Sequence, residues 1–336
     1  MLNFVTNINF LGMPHRSRQH LISIVDRFGA MPMSSVAPAE LAVANWYSVM
    51  ADCISIGVGT TEFLWLLPDL LESPAAIPLP SFWQYEYYFK TKRGEGSIVP
   101  LTINLEEDGA CDLDAVEQAC MAGARSVFLG NANNPTGRLF DHERVLSLAK
   151  AHQSTTFVVD ETYLPFDEAW NERTLARHAT SLDNLIVLQS LSKIFATPGM
   201  RIGVCITNAR LTAQIKSRQT PFGVGTVALE MIPVLLAERE YLESTPRQYA
   251  QARSWVVEQI DRRLGARVVM TPPESAFLLL RLREGSALQV RERVRKYGVD
   301  MRAGPDLPYV DDRFLRVSVR DIPSAMVMLD ALESVI

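Results

Sequence analysis

Between residues 97 and 206 the chain alternates short apolar runs with helical patterns, and this alternation constrains the fold more than any other feature. The runs are nearly continuous in apolar residues, which is typical of strands buried on both faces of a sheet. The predicted strands are 97–103, 125–130, 155–160, 184–189 and 201–206. The helical segments between or before them are 60–71, 82–92, 112–121 and 141–152. This order predicts an α/β fold with a mostly parallel sheet covered by helices.

After about residue 225 the pattern changes, which predicts a second, smaller α+β domain. Two long helical stretches, 226–238 and 240–264, are followed by short strands and a final helix from Pro323. The predicted strands of this region are 266–271, 276–282 and 314–319. We expect an N-terminal arm (1–30) that joins the small domain, a large cofactor-binding domain (31–228) and a small C-terminal domain (229–336).

Charge and hydrophobicity exclude several classes of protein. The 336 residues are 48% hydrophobic, enough for a large core, and 33 Lys and Arg against 38 Asp and Glu leave a net charge of -5 without long runs of one sign. A nucleic-acid partner usually requires a basic face, so none is predicted. The longest apolar stretch, 63–71, is interrupted by Pro68 and Asp69 and falls far short of the roughly 20 residues that span a bilayer.

The termini and cysteines predict an intracellular protein without a structural metal. The N-terminus lacks the basic start and apolar run of a secretion signal. The four cysteines form no CxxC or CxxH pair, so neither a zinc site nor a disulfide framework is indicated. We expect a cytoplasmic protein that acts on a small molecule, away from membranes.

A glycine turn, Gly57–Glu62, lies at the start of the predicted helix 60–71. Backbone amides and threonine hydroxyls at a helix N-terminus suit a phosphate group. The turn is not a dinucleotide fingerprint, because Glu62 stands at the third glycine position, and it has no P-loop lysine. By itself it could equally be an ordinary helix start.

Three further polar motifs follow later strands. They are Asn131–Gly137, Asp160–Tyr163, and Ser190–Lys193 with Arg201 eight residues beyond the lysine. Each alone has an ordinary explanation as a turn, a strand-end carboxylate or a surface charge. In open α/β sheets, however, ligands bind at the carboxyl ends of the strands, so the motifs together predict one site.

In this order the motifs resemble the signatures of the fold-type I, class I/II aminotransferases, which use pyridoxal 5′-phosphate, and the similarity extends over nearly the whole chain. Within that superfamily the chain is most similar to the branch of histidinol-phosphate aminotransferase and threonine-phosphate decarboxylase. Segments 7–14 and 218–224 resemble the decarboxylase more closely. The resemblance implies the fold-type I architecture of a large and a small domain, and a homodimer with active sites between the subunits.

The resemblance also implies roles for individual residues. Lys193 would hold the cofactor as an internal aldimine and then move the substrate proton, and Asp160 would pair with the pyridine nitrogen. Tyr163 and Asn134 would hydrogen-bond the phenolic oxygen, with Phe82 stacked on the ring. The remaining cofactor residues would together bind the cofactor phosphate: Gly59, Thr60, Thr61, Ser190, Ser192 and Arg201.

For the substrate, the resemblance implies Asn9, Arg302 and Arg316, the last as the carboxylate-binding arginine. The main interpretation is a biosynthetic aminotransferase that acts on an amino acid or amino-phosphate, and a decarboxylase of the threonine-phosphate type is the alternative. Tyr163 follows the aminotransferase pattern where the decarboxylase has phenylalanine, and Phe82-Trp83 replaces a smaller pair, so that Trp83 and Tyr85 are expected to reshape the pocket. A nucleotide-binding enzyme of another class is less favoured, because no acidic residue stands about 20 positions after Gly57–Gly59.

Overall fold

A computed structural model of the chain describes residues 1–29, 31 and 35–336. Its strands are β1 (Leu2–Asn3), β2 (Ile54–Val58), β3 (Ala75–Leu79), β4 (Ile98–Thr102), β5 (Ser126–Gly130), β6 (Thr156–Asp160), β7 (Leu185–Ser190), β8 (Ile202–Ile206), β9 (Val268–Met270), β10 (Phe277–Leu282), β11 (Val299–Asp300), β12 (Arg302–Ala303) and β13 (Phe314–Ser318). Its α-helices are α1 (His15–Ser23), α2 (Ala37–Tyr47), α3 (Thr60–Leu70), α4 (Gln84–Arg93), α5 (Leu113–Met121), α6 (His142–Ala151), α7 (Trp170–Arg173), α8 (Ala176–Ala179), α9 (Leu191–Ile194), α10 (Ala209–Lys216), α11 (Thr226–Leu236), α12 (Arg239–Leu264), α13 (Ala287–Arg295) and α14 (Ile322–Val335).

The largest sheet has seven strands in the order β2-β8-β7-β6-β5-β3-β4. The neighbours from β7 to β4 run parallel, whereas β8 runs antiparallel to both β7 and β2. The connection from β7 to β8 is short, as an antiparallel neighbour allows. The predicted α/β architecture with a mostly parallel sheet is confirmed.

Both faces of this sheet are buried, which explains the continuous apolar runs. In β6, Phe157 and Val159 pack into one core cluster, while Val158 packs into another on the opposite face. Side chains alternate between the faces of a strand, so burial of both faces removes the polar positions that an amphipathic strand would show.

Five strands of this sheet lie within one residue of their predicted positions, but β2 and β3 were not predicted. β3 reads Ala-Ala-Ile-Pro-Leu, and a proline normally argues against an interior strand. Pro78 is accommodated because β3 pairs with β5 through Ala75 and Ala76, and at Pro78 it pairs with β4 alone. Proline has no backbone N–H to donate. At Pro78 the pairing with β5 has already ended, so no hydrogen bond between β3 and β5 is lost there.

The C-terminal part is built on a four-stranded sheet in the order β12-β13-β10-β9, whose pairs are antiparallel. The predicted strands 266–271, 276–282 and 314–319 correspond to β9, β10 and β13. Helix α13 and the short strands β11 and β12 were not predicted. The N-terminal arm reaches this part, because β1 pairs with β11.

Helix α11 packs against α2, and the domain boundary predicted at residue 228 lies within α11. The predicted arm ends at residue 30, which lies outside the described residues. The domain limits therefore remain a prediction.

Candidate active site

A cavity of about 170 Å³ lies at the carboxyl ends of the parallel strands. It collects residues from the glycine turn and from all three later motifs. Ten of the predicted site residues line it: Gly59, Thr60, Thr61, Phe82, Asn134, Asp160, Tyr163, Ser190, Lys193 and Arg201. The edge of the sheet thus brings together motifs that are up to 142 positions apart.

One side of the cavity is formed by the start of α3 and by Arg201. Gly59 has a φ of +74°, and Arg201 has a φ of +55° in the left-handed region. A side-chain carbon on Gly59 would lie 2.5 Å from an Arg201 guanidinium nitrogen, so the arginine lies directly against this glycine. The first amides of α3, its threonine hydroxyls and the guanidinium form a group of donors suited to a phosphate.

Gly203 in β8 allows this approach. A side-chain carbon there would lie 2.2 Å from the Gly59 carbonyl carbon and 2.4 Å from the Thr60 nitrogen. Strand β8 and the start of α3 are therefore in backbone contact, which a glycine permits. Gly203 stands two residues after Arg201 in the sequence, so the residue that permits this close packing directly follows the third motif.

Asp160 lies at the end of β6 and is buried. Its carboxylate accepts hydrogen bonds from the Thr162 backbone N–H at 3.0 Å and from the Tyr85 hydroxyl at 3.0 Å. Burial raises the pKa of Asp160, and these hydrogen bonds and nearby Lys193 oppose the rise. The cavity therefore contains a buried carboxylate that a cationic partner would stabilise.

Lys193 is carried by α9, a single helical turn directly after β7. Ser190, at the end of β7, shares the cavity wall with it. Ser192 does not line the cavity, because its side chain points to β8, where its hydroxyl accepts the Ile202 backbone N–H at 3.0 Å. The structure therefore places Ser192 as a support of the turn rather than at the cavity wall.

Arg316 lies beside the cavity and contacts one of its lining residues. One guanidinium nitrogen donates to the Asn134 side-chain oxygen at 2.7 Å, and another donates to the Val5 carbonyl. Burial, together with neighbouring Arg302, lowers the pKa of Arg316 to about 10. Its third nitrogen, Nε, has no hydrogen-bond partner among the described residues. Arg302 is adjacent, because the two arginines are paired in the register of β12 and β13.

Asn9 lies elsewhere than predicted. It is buried, and its amide donates to the Ile194 carbonyl at 2.7 Å and to the Tyr241 hydroxyl at 2.8 Å. Its side-chain oxygen accepts the Leu11 N–H at 3.1 Å. Because these internal bonds use its polar atoms, the geometry does not support the prediction that Asn9 binds substrate.

Sequence reasoning gave no role to three residues of the cavity wall, Gln84, Ala132 and Thr162, whereas Tyr85, expected to reshape the pocket, does line it. Phe82 lies two positions before α4, and Tyr85 is the second residue of that helix. The Phe82 and Tyr85 rings do meet edge to face, with centroids 5.6 Å apart. By contrast Trp83, expected to reshape the pocket, is 44% exposed and is absent from the lining.

Glu161, next to the cavity carboxylate, is fully buried without lining the cavity. Its oxygens accept bonds from the Thr174 hydroxyl at 2.6 Å, the Leu175 N–H at 2.8 Å and the Gln189 amide at 2.6 Å. Burial raises the pKa of Glu161 to about 7 despite these bonds. The two neighbouring carboxylates therefore occupy different environments.

The donor set of the cavity fits pyridoxal 5′-phosphate. It combines phosphate donors, a primary amine and a buried carboxylate with an aromatic side chain, Phe82. The Thr162 hydroxyl, which also lines the cavity, is buried and has no partner within the described part of the chain. Within the same residues, no helix is long and apolar enough to cross a membrane, and no cluster of side chains with metal-ligand chemistry was found.

Comparison with known proteins connects this geometry to a family. Residues 19–331 match the family model described as aminotransferase class I and II. The chain is 30% identical over 256 residues to histidinol-phosphate aminotransferase of Thermococcus gammatolerans, covering 76% of this chain and 70% of that protein. It is 24% identical over its whole length to the adenosylcobalamin biosynthesis bifunctional protein CobDQ of Leptospira interrogans, of which it spans 39%.

Solved structures resemble the chain over its full length. Histidinol-phosphate aminotransferase from Clostridium acetobutylicum superimposes with a TM-score of 0.90 at 26% identity, covering 100% of this chain and 99% of that one. L-threonine-O-3-phosphate decarboxylase from Porphyromonas gingivalis shares the fold, with a TM-score of 0.87 at 24% identity and 99% of each chain covered.

Proposed function

Because the chain belongs to the class I and II aminotransferases, we propose that it is a pyridoxal-phosphate-dependent aminotransferase that acts on an amino acid or an amino-phosphate. The observation that carries this proposal is the convergence of Lys193, Asp160 and Arg201 on one cavity at the sheet edge. A lysine, a carboxylate and a phosphate-binding arginine are the three groups that such an enzyme requires of its own chain.

The chain's residues divide the work of holding the cofactor. Arg201, Thr60 and Thr61 would bind its phosphate, and Phe82 would lie against its ring. Asp160 would pair with the ring nitrogen, which relieves the unfavourable burial of its own negative charge. When bound, the cofactor withdraws electrons from the substrate carbon that loses a proton.

Lys193 would accept the proton that leaves the substrate and return it at another carbon. General acid–base transfer of this kind needs a group held within hydrogen-bond reach, and the position of Lys193 on the cavity wall supports it. Tyr163 and Asn134 line the same cavity and would orient the reacting groups.

Arg316 would bind the substrate carboxylate, supported by its bond to the cavity residue Asn134. Guanidinium groups bind carboxylates through two parallel hydrogen bonds, which a neutral donor cannot match. Holding the carboxylate in this way leaves the Cα–H bond to be broken, which favours transamination over loss of carbon dioxide. Arg302, beside it, would contact a distal anionic group such as a phosphate.

The first experiment measures the visible spectrum of the purified protein after addition of pyridoxal phosphate. We expect a band at about 410–430 nm that Lys193→Ala abolishes. Lys296→Ala, which changes an exposed lysine, is the matched control and should keep the band. A band that persists in Lys193→Ala would disprove the proposal.

The second experiment identifies the reaction with a panel of amino acids and phosphoamino acids. Transamination requires a keto-acid acceptor and produces a new keto acid from the donor. Release of carbon dioxide without an acceptor would instead establish the decarboxylase alternative, whose fold the Porphyromonas enzyme shares.

A cytoplasmic location and a homodimer are parts of the same proposal. Light scattering during size-exclusion chromatography tests the dimer, since a dimer should have twice the 37.5 kDa mass of the chain.

A further inference from the structure

The helix that carries Lys193, α9, is too short to be stable without contacts from other parts of the chain. Helix α9 has four residues, and a helix of one turn is unstable in isolation. Its last carbonyl groups have no partners within the helix and must be satisfied from outside. The chain then turns sharply at Ala196, which has a φ of +54°.

Asn9 from the N-terminal arm satisfies two successive carbonyls of this turn. Its backbone N–H donates to the Lys193 carbonyl at 3.2 Å, and its side-chain amide donates to the Ile194 carbonyl at 2.7 Å. The second amide hydrogen is directed to the hydroxyl of Tyr241 at 2.8 Å. Asn9 is only 3% exposed, so water cannot readily replace these bonds.

Tyr241 of α12 also contacts the Lys193 turn. Its hydroxyl donates to the Gly12 carbonyl at 2.7 Å and lies 3.1 Å from the Ile194 carbonyl oxygen. Its ring stacks on Phe195, with centroids 5.9 Å apart and planes 16° from parallel. The lysine turn is thus held by the arm and by a helix of the C-terminal half, while Ser192 ties it to β8.

We propose that Asn9 and Tyr241 are positioning residues that hold the Lys193 turn in its reactive place. This inference rests on the proposed function, since it assigns them to the lysine of that site. Neither residue lines the cavity, so both act through the backbone of the turn. A displacement of a reacting group by about 1 Å can reduce a rate about 10²-fold. The hydrogen bonds of Asn9 and Tyr241 to the turn therefore matter for turnover, although both residues lie outside the cavity wall.

The direct test is hydrogen exchange of the full-length protein, followed in peptides that cover residues 191–197. Asn9→Leu keeps the volume and the backbone N–H, and removes the side-chain bonds to the Ile194 carbonyl and the Tyr241 hydroxyl. We expect exchange of the Phe195, Ala196 and Thr197 amides to become about tenfold faster, the scale of one buried hydrogen bond. Asn7→Leu is the matched control, because Asn7 is also buried on the arm but accepts a bond from Ser318 instead.

A second variant keeps the test valid if Asn9→Leu does not fold. Tyr241→Phe removes one hydroxyl and keeps the ring stacked on Phe195. Tyr249→Phe is its control on the same helix, because the Tyr249 hydroxyl contacts Ile8 and Phe10 and not the lysine turn. Faster exchange in Tyr241→Phe but not in Tyr249→Phe supports the proposal, and equal exchange in both overturns it.

The kinetic signature distinguishes positioning from substrate binding. Asn9→Leu and Tyr241→Phe should lower kcat by about tenfold or more with KM nearly unchanged, because the reacting lysine is displaced. A rise in KM alone would overturn the assignment and restore Asn9 as a substrate ligand. Failure of the proposed function is recognised separately, because wild-type protein would then lack the Lys193-dependent band, whereas the exchange experiment needs no cofactor.

Discussion

The two ends of the cavity are built in different ways. The end that receives the cofactor draws Thr60, Asp160, Lys193 and Arg201 from the ends of neighbouring strands of one seven-stranded sheet. The substrate end joins Asn134 of that sheet region to Arg316 of the four-stranded sheet, 182 positions away, and to the arm through the Val5 carbonyl. We name them by their proposed roles the cofactor end and the substrate end.

This difference teaches which part of the site is locally determined. At the cofactor end each residue lies next to the end of its own strand, so strand order alone brings the groups together. At the substrate end the geometry depends on how two sheets and the arm are placed against each other. Changes at the cofactor end should therefore affect chemistry and cofactor binding, and changes at the substrate end should affect substrate affinity.

The largest expected effect is on kcat, and it should differ between the two neighbouring carboxylates Asp160 and Glu161. Asp160→Asn should lower kcat by about 10²- to 10³-fold, the range for loss of a preorganised electrostatic partner. Glu161→Gln is the matched control, because that carboxylate is equally buried but does not line the cavity. Steady-state kinetics with saturating cofactor measures both, and near-normal kcat in Asp160→Asn would refute the assignment.

Glu161 should instead affect how the free energy of unfolding depends on pH. Burial raises the pKa of Glu161 from 4.5 to about 7, so the folded state binds more protons than the unfolded state between those values. The stability that Glu161 contributes is full below about pH 4.5 and is lost as the pH rises through about 7, a change of about 3 kcal/mol.

Urea unfolding at several pH values, compared between wild type and Glu161→Gln, measures this contribution. The variant should show a smaller fall in the free energy of unfolding between pH 4.5 and 7. Parallel curves for the two proteins would mean that Glu161 does not titrate in this range.

At the substrate end, Arg316→Gln should raise KM for the amino substrate about tenfold to 10²-fold with a smaller change in kcat. This follows from the typical strength of a hydrogen bond to a charged group. Because burial lowers the pKa of Arg316 to about 10, KM should also rise as the pH approaches that value.

Arg320→Gln is the control for this change, because Arg320 bonds to the Asn3 carbonyl and not to Asn134. If Arg316→Gln lowered kcat alone, the division between the two ends would be wrong.

The last comparison tests the backbone contact at the cofactor end. Gly203→Ala places a methyl group against the Gly59 and Thr60 backbone, so we expect a loss of about 1–3 kcal/mol in stability or in cofactor affinity. Gly199→Ala lies in the preceding loop with no atom within 4 Å of its new carbon, and it should change neither. Calorimetry and cofactor titration measure the two quantities, and equal values for both variants would contradict the proposed close contact.

Particular residues show where prediction from sequence reached its limit. The strands 125–130, 155–160 and 184–189 were predictable because burial of both faces leaves a continuous apolar signal. β3 was missed because Pro78 argues against a strand, and its tolerance depends on where β5 stops pairing. The hydrogen bond of Tyr85 to Asp160 was not predictable, because Tyr85 stands in an aromatic run in which some side chains enter the core and others reach solvent.

The sequence by itself determined the class of fold and which polar residues meet at the cofactor end. Apolar periodicity specifies the strands, and the polar motifs fall at strand ends that a parallel sheet must bring together. Tertiary structure alone decided that Asn9 contacts the lysine turn and that Arg316 contacts Asn134. Those contacts join segments with no shared periodicity, so their geometry depends on how separate parts of the molecule pack, which local patterns do not encode.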